Sequence, residues 1–277
     1  MRQRSSIVTP ARFIDSLLKR AALDAQTYFL LLLKTVKASF TRPFYVRDLV
    51  QQMETIGVNS LGIVILTGLF TGMVLALQAA LEMEQFGAVI YMGRVVGASA
   101  VRELGPVLTA LMVTGRAGSG MAAELGAMKV TEQVDALDTM GVDPVRKLVV
   151  TRVLAALLVL PLLTVVADVI AVLGGLLIAV VKLNLTFDLY MRGVYISLAE
   201  TGFLFRYVPI DILTGMIKPI VFGGIMALTA CHYGLTTEGG TEGVGRATTR
   251  SVVTSSVLIL AADYFITQII ISLLIRS

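Results

Sequence analysis

Tryptophan is absent from the 277 residues, and cysteine and histidine occur once each. The lone Cys231 excludes an internal disulfide, so no oxidising-compartment framework is implied. The lone His232 offers no chain of titratable groups for a proton relay and reads as a structural or interfacial residue. Any aromatic belt at a membrane boundary falls to the 8 Tyr and 11 Phe residues. Charge is scarce as well. Only 15% of residues are charged, against about 25% in soluble domains, while 56% are hydrophobic and the mean hydropathy is +0.84. That balance argues for lipid rather than water as the solvent. No Ser-His-Asp set, metal cluster or pair of catalytic carboxylates assembles from these residues, so the expectation is a non-enzyme without catalytic or metal residues.

A net charge of +4 would suit a nucleic-acid partner, but the basic residues gather at the amino end and between apolar runs, as bilayer topology demands. No nucleic acid is expected. The first fifty residues do not read as a cleavable signal, since their longest apolar run, Tyr28 to Leu33, is bounded by Asp24 and Lys34. Instead Phe13, Ile14, Leu17, Leu18, Ala21, Ala25, Tyr28, Phe29 and Leu32 recur at helical spacing. Arg12, Lys19, Arg20, Asp24 and Lys34 fall largely between them. This predicts an amphipathic helix along the membrane surface, or a soluble packing helix.

Five apolar spans follow, each near the length a bilayer core needs. They run from about Ile56 to Ala80, Val95 to Leu125, Leu148 to Val181, Tyr207 to Leu235 and Thr248 to Ile275. The third is long enough to tilt or to be broken at Pro161 and Gly174-Gly175. The fold class expected is an all-α integral membrane protein. It comprises an amphipathic interfacial segment (1–50), then a transmembrane domain (51–277) of five helices with a short helix on one loop. Arg2, Arg4, Arg12, Lys19, Arg20, Lys34, Lys37, Arg42 and Arg47 lie in the amino segment, with Lys129, Arg146, Lys147 and Arg246 in same-side loops. The opposite loops hold only Arg94, Lys182, Arg192 and Arg206. Positive-inside therefore places the amino end and the 126–147 loop in the cytoplasm and the carboxyl end outside.

Gly115 and Gly120 have the spacing of a phosphate-binding loop, but Met121 and Ala122 stand where Lys and Ser/Thr must be. The nucleotide reading fails. Gly118, Ala122 and Gly126 recur every fourth residue, as do Gly68 and Gly72, giving smooth ridges for close helix packing. The segment "KVTEQVDALDTMGVDP" predicts a short acidic helix with Thr131 as N-cap and Glu132 in its first turn. Val130, Val134, Leu137 and Gly141 share one face, Gly141 ends the helix and Pro144 bars its continuation. Two readings stand from the residues alone: an ordinary loop helix, or a docking helix that inserts into a partner's groove. Within the spans, Arg102, Glu103, Asp168, Lys218 and Asp263 are functional candidates because charge is costly there. A structural salt bridge and a substrate role remain equal readings for them. An ion-coupled carrier working through Glu103, Lys218 and Asp263 is the alternative to the reading below.

"VRELGPVLTALMVTGRAGSGMAAELGAMKVTEQVDALDTMGVDP" and "RATTRSVVTSSVLILAAD" resemble the MlaE/YrbE family of ABC-transporter permeases, from about Arg47 to Ile275. The resemblance implies a bacterial inner-membrane lipid transporter that moves phospholipids between inner and outer membranes. It implies a homodimer with an elbow helix and five spans per subunit, two ATPase subunits, a STAS-domain accessory protein and a periplasmic hexamer of MCE-domain proteins. No cofactor is then bound directly; ATP-Mg sits on the partner ATPase. Carried onto this sequence, the coupling helix matches Thr131 to Gly141, with Thr131, Glu132, Asp135, Leu137, Met140 and Gly141 at the ATPase contact. The charge network takes Arg102, Glu103, Lys218, Arg246, Arg250 and Asp263. The lipid pocket, at the dimer interface, takes Phe70, Val74, Leu77 and Gln78. One departure is that family members can carry an aromatic residue after Leu-Gln-Gly, whereas this chain reads "LQAALEM", with Ala80 there.

Overall fold

A computed structural model describes residues 10–41, 45–199, 203–204 and 208–276. Expectations resting on Arg2, Arg4, Arg42, Arg206 and Tyr207 lie outside the described residues, as do those on the side chains of Arg12, Phe13, Ile14, Leu17, Leu18, Arg20 and Ala21. The described residues are all-α apart from a two-residue antiparallel pair, Phe203–Leu204 with Val208–Pro209. Among the described residues, five helical segments are long and apolar enough to cross a membrane: Val46–Glu84, Val89–Val130, Val145–Leu183, Gly215–Leu235 and Gly240–Ser272.

Helix α1 (Pro10–Ser39) precedes the first span. It docks through Tyr28, whose hydroxyl lies 3.2 Å from that of Thr229 and whose ring stands edge-on to His232. Burial pushes the Tyr28 phenol above its ordinary range. The first span is longer than expected: α2 (Val46–Ile56) turns through Val58–Ser60 into α3 (Leu61–Glu84). The expected domain boundary at 50 and 51 falls inside α2. The second span is three helices in one line, α4 (Met92–Ser99), α5 (Gly105–Val113) and α6 (Ser119–Val130). Wide π turns at Ala100–Leu104 and Thr114–Gly118 join them. After α7 (Gln133–Thr139), another π turn at Val145–Val150 leads into α8 (Thr151–Leu183). α8 passes unbroken through Pro161 and Gly174-Gly175, so of the two alternatives for the third span the break does not occur. α9 (Phe187–Ala199), α10 (Ile210–Leu235) and α11 (Gly240–Arg276) complete the bundle.

α9 was not among the expected elements. Its buried residues Tyr190, Val194 and Ser197 sit at i, i+4 and i+7, the spacing that marks one helix face. The Tyr190 hydroxyl donates to the Val172 carbonyl at 3.1 Å, tying α9 to α8, and burial raises the pKa of its phenol.

Small residues set how closely the spans approach. Gly72 of α3 lies so near the Ala171 carbonyl of α8 that an added Cβ would overlap it, and Gly174 meets the Leu69 carbonyl in return. Gly118 lies against Met226 of α10 and Gly126 against Thr237, so the expected ridge on α6 is a packing surface. The main core gathers Val113, Met121, Leu160, Phe222, Met226 and Ile259 from four spans. Much of α3 and α11 is left uncovered: Leu66, Phe70 and Val74 on one, and Val257, Leu260 and Tyr264 on the other, are exposed.

Candidate functional site

Lys218 has nearly all of its side chain buried, in the middle of the bundle. An isolated ammonium there would be very costly, and three oxygens answer it. Its Nζ donates to Glu103 Oε2 at 2.6 Å and to the Arg102 carbonyl at 3.0 Å, and lies 2.9 Å from Asp263 Oδ1. Thr267 Oγ1 sits 3.4 Å from the other Glu103 oxygen. The π turn at Ala100–Leu104 explains the carbonyl's part, because a wide turn departs from the regular i−4 ladder. Glu103, Lys218 and Asp263, from three different spans, thus meet at one point as expected. The centre is structurally an ion-paired lock, with one cation facing two carboxylates.

Asp168 does not join it. Its Oδ1 is buried against Gly105, where any side chain would collide with it. Arg246 and Arg250 do not join it either, which corrects the expected network. α11 starts at Gly240, so both arginines lie on its first exposed turns, and Arg246 pairs with Glu242 at 3.3 Å. Arg250 is 13 residues before Asp263, roughly 20 Å along a helix. They line a polar cleft of about 350 Å³ with Asp24, His232 and Glu238.

The loop helix α7 is anchored on one side and bare on the other. Val134 is buried and Leu137 half-buried against Leu125, Leu148, Val149 and Leu228. Glu132, Asp135, Asp138 and Met140 face outward. Lys129 grips Asp135 through both carboxylate oxygens, at 2.8 and 3.0 Å. Thr131 is not the N-cap. It closes α6, its hydroxyl donating back to the Ala127 carbonyl at 2.8 Å, while Glu132 takes the cap position with a left-handed φ of 59°. The sequence does not reveal this because α6 continues one turn beyond the apolar run. Gly141 ends the region as expected: at φ +76° it allows the Val142 N–H to reach the Leu137 carbonyl and its own N–H to reach Asp138.

Sequence reading missed a second ion pair, between a buried arginine and an exposed glutamate. Arg152 of α8, with its side chain 3% exposed, bonds Glu124 of α6 at 2.8 Å and the Leu148 carbonyl at 2.9 Å. The signal was present as two charges inside apolar spans, one at the end of the second and one at the start of the third. Arg116 similarly reaches Ser60, the buried hydroxyl between α2 and α3, at 3.3 Å.

The profile of the family described as Permease MlaE matches residues 49–269. The chain belongs to the MlaE permease family. It is 43% identical over 227 residues to a probable ABC transporter permease protein of Rickettsia felis, covering 82% of this chain and 84% of that protein. It is 39% identical over 221 residues to the intermembrane phospholipid transport system permease protein MlaE of Haemophilus influenzae, covering 80% and 82%. It is also 38% identical over 222 residues to the chloroplastic protein TRIGALACTOSYLDIACYLGLYCEROL 1 of Arabidopsis thaliana, covering 80% of this chain and 61% of that one.

As an ABC-transporter permease of the MlaE family, the chain has two surfaces left to explain. One is α7. The other is the outer face of α3, where Phe70, Val74 and Gln78 are exposed and Leu77 is half-buried. Ala80 is buried in the core with Met92 and Tyr190, so its small side chain faces inward rather than onto that surface. Membership of a permease family argues against the ion-coupled carrier and leaves the Glu103–Lys218–Asp263 centre as an ion-paired cluster joining three spans.

Proposed function

We propose that this chain is the permease subunit of a transporter that moves phospholipids between the inner and outer membranes and so maintains outer-membrane lipid asymmetry. It works as a homodimer in the bacterial inner membrane. The amino end and α7 are cytoplasmic and the carboxyl end periplasmic. A separate ABC ATPase, carrying ATP-Mg, docks on α7. A STAS-domain protein accompanies the ATPase, and a hexameric MCE ring receives lipid on the periplasmic side. The observation that carries this reading is family membership joined to the build of α7, a helix anchored through Val134 and Leu137 that leaves Glu132, Asp135, Asp138 and Met140 exposed on its other face.

The mechanism follows from that build. ATP-driven closure of two ATPases pushes on Glu132, Asp135 and Met140. Val134 and Leu137 pass the push to α8 and α10 through the shared core. The Lys218 centre keeps the second, fourth and fifth spans moving as one body. Between two copies, the outer faces of α3 form an apolar cavity containing Phe70, Val74, Leu77 and Gln78. Each methylene buried there contributes about 0.8 kcal/mol, so acyl chains bind well and headgroup identity counts little.

Reconstitution with the cognate ATPase in proteoliposomes tests this. ATP-dependent transfer of a labelled phospholipid to acceptor vesicles bearing the MCE partner is expected. Transfer that persists without nucleotide would overturn ATP coupling.

A further inference from the structure

A groove of about 640 Å³ lies away from the α3 face, bounded by α1, α8, α10 and α11. Leu32 and Val36 line it from α1, Leu157 and Ile225 from α8 and α10, and Leu258 and Ala261 from α11. No charged side chain lines it, and the polar groups that do are already engaged. Tyr28 meets Thr229, Thr35 Oγ1 donates to the Leu31 carbonyl, and Ser39 Oγ donates to the Thr35 carbonyl. The groove therefore asks nothing of a ligand but hydrocarbon.

Its depth is informative. On α10 it extends from Leu228 to Ile220. Those eight steps rise about 12 Å, close to half of a hydrocarbon core about 30 Å thick. The groove is therefore about as deep as one leaflet. At its α7 end it shares Leu154 with a second pocket, of about 120 Å³, lined by Thr41, Tyr45, Arg146 and Thr151. Lys147 stands beside it, its Nζ 5.9 Å from the centre of the Tyr45 ring. An apolar slot about as deep as one leaflet, meeting at Leu154 a pocket that carries Arg146, matches an acyl chain joined to an anionic headgroup.

We propose that the slot and the Arg146 pocket hold one phospholipid of the leaflet on the α7 side. One acyl chain lies among α8, α10 and α11, and the phosphate sits at Arg146. This site is separate from the transport cavity on α3, and the lipid it holds fastens α1 to the bundle. It needs the chain to lie in a membrane; it does not need the chain to transport.

The test places the full chain, without ATPase or nucleotide, in nanodiscs of phosphatidylethanolamine and phosphatidylglycerol. A trace of phosphatidylglycerol carries a diazirine midway along one acyl chain. After photolysis, adducts mapped by mass spectrometry are expected on Leu154, Leu157, Val221 and Ile225. They should exceed those on Leu162 and Val169, exposed residues of α8 outside the slot, by several-fold. Arg146→Gln should reduce the slot adducts several-fold and leave Leu162 and Val169 unchanged, with Arg146→Lys intermediate. Gly224→Leu, which fills the slot at a position whose added Cβ would meet only Leu157 at 3.4 Å, should abolish them. Equal labelling inside and outside the slot would overturn the site, as would inter-copy cross-links through it. An unchanged pattern in Arg146→Gln would overturn the headgroup assignment. Because nothing is transported in this experiment, its failure leaves the transport reading untouched.

Discussion

At the residue scale, Lys218 holds two carboxylates that would otherwise repel each other inside the bundle. Lys218→Met leaves Glu103 and Asp263 without their cation. Removing one partner of a fully buried pair costs about 3–5 kcal/mol, an upper bound here because the Glu103 side chain is 44% exposed. The expected result is a marked drop in the thermal midpoint in detergent, read by a thiol-reactive fluorophore on Cys231, which is fully buried in the fold. The triple variant Lys218→Met, Glu103→Gln, Asp263→Asn should recover most of the loss. If the single and triple variants melt together, the cluster is not held by charge. Gly72 makes a simpler case. Gly72→Leu must displace the α8 backbone at Ala171, an overpacking cost of about 1–3 kcal/mol, whereas Gly62→Leu enters open space. Equal melting of these two variants would contradict the close approach of α3 and α8.

At the element scale, α7 should be separable into an anchor and a docking face. Glu132→Lys with Asp135→Lys should leave folding intact and abolish co-purification of the ATPase. Val134→Asp should weaken both. Gly141→Ala forces a left-handed residue with a Cβ, at about 1–2 kcal/mol, and should loosen α7 without unfolding the spans. Hydrogen exchange at Gln133–Thr139 would report it. Continued ATPase binding by the double-lysine variant would rule α7 out as the dock.

Much of this element was readable in advance, because turn chemistry and apolar spacing act over neighbouring residues: Gly141, Val134 and Leu137 lie where the pattern puts them. The start of α7 was not, since Thr131 looks like a cap whether a helix begins or ends there. Arg246 and Arg250 were misplaced for a related reason. Their burial depends on where α11 begins, and Gly240 gives no apolar signal. Arg152 and Glu124 were hidden because their pairing is a fact of packing between spans.

At the scale of the whole molecule, the uncovered faces of α3 and α11 predict self-association. In a Cys231→Ala background, single cysteines placed along α11 at positions 253, 257, 260 and 264 should form inter-copy disulfides at a helical period. A twofold interface brings the same residue from both copies together where that residue lies at the axis. The absence of cross-links at every position would exclude α11 from the interface. Orientation is tested by impermeant maleimide on whole cells: a cysteine at Asn184 should be labelled and one at Asp138 protected. The reverse pattern would invert the topology. The five spans were legible here because a lipid solvent demands long apolar runs whatever the tertiary packing.

The two π turns of the second span have a geometric consequence for that legibility. Each holds one residue more than the α-helix it interrupts, and one residue turns a helix by about 100°. A single helical wheel drawn through the 42 residues Val89–Val130 therefore puts its two ends about 200° out of phase. The face of α4 that meets α9 and the face of α6 that meets α10 belong to different wheels. A one-residue deletion within either wide turn would close it to a regular α-turn and keep the contacts beyond it in place, whereas the same deletion within α5 would turn α6 by about 100°.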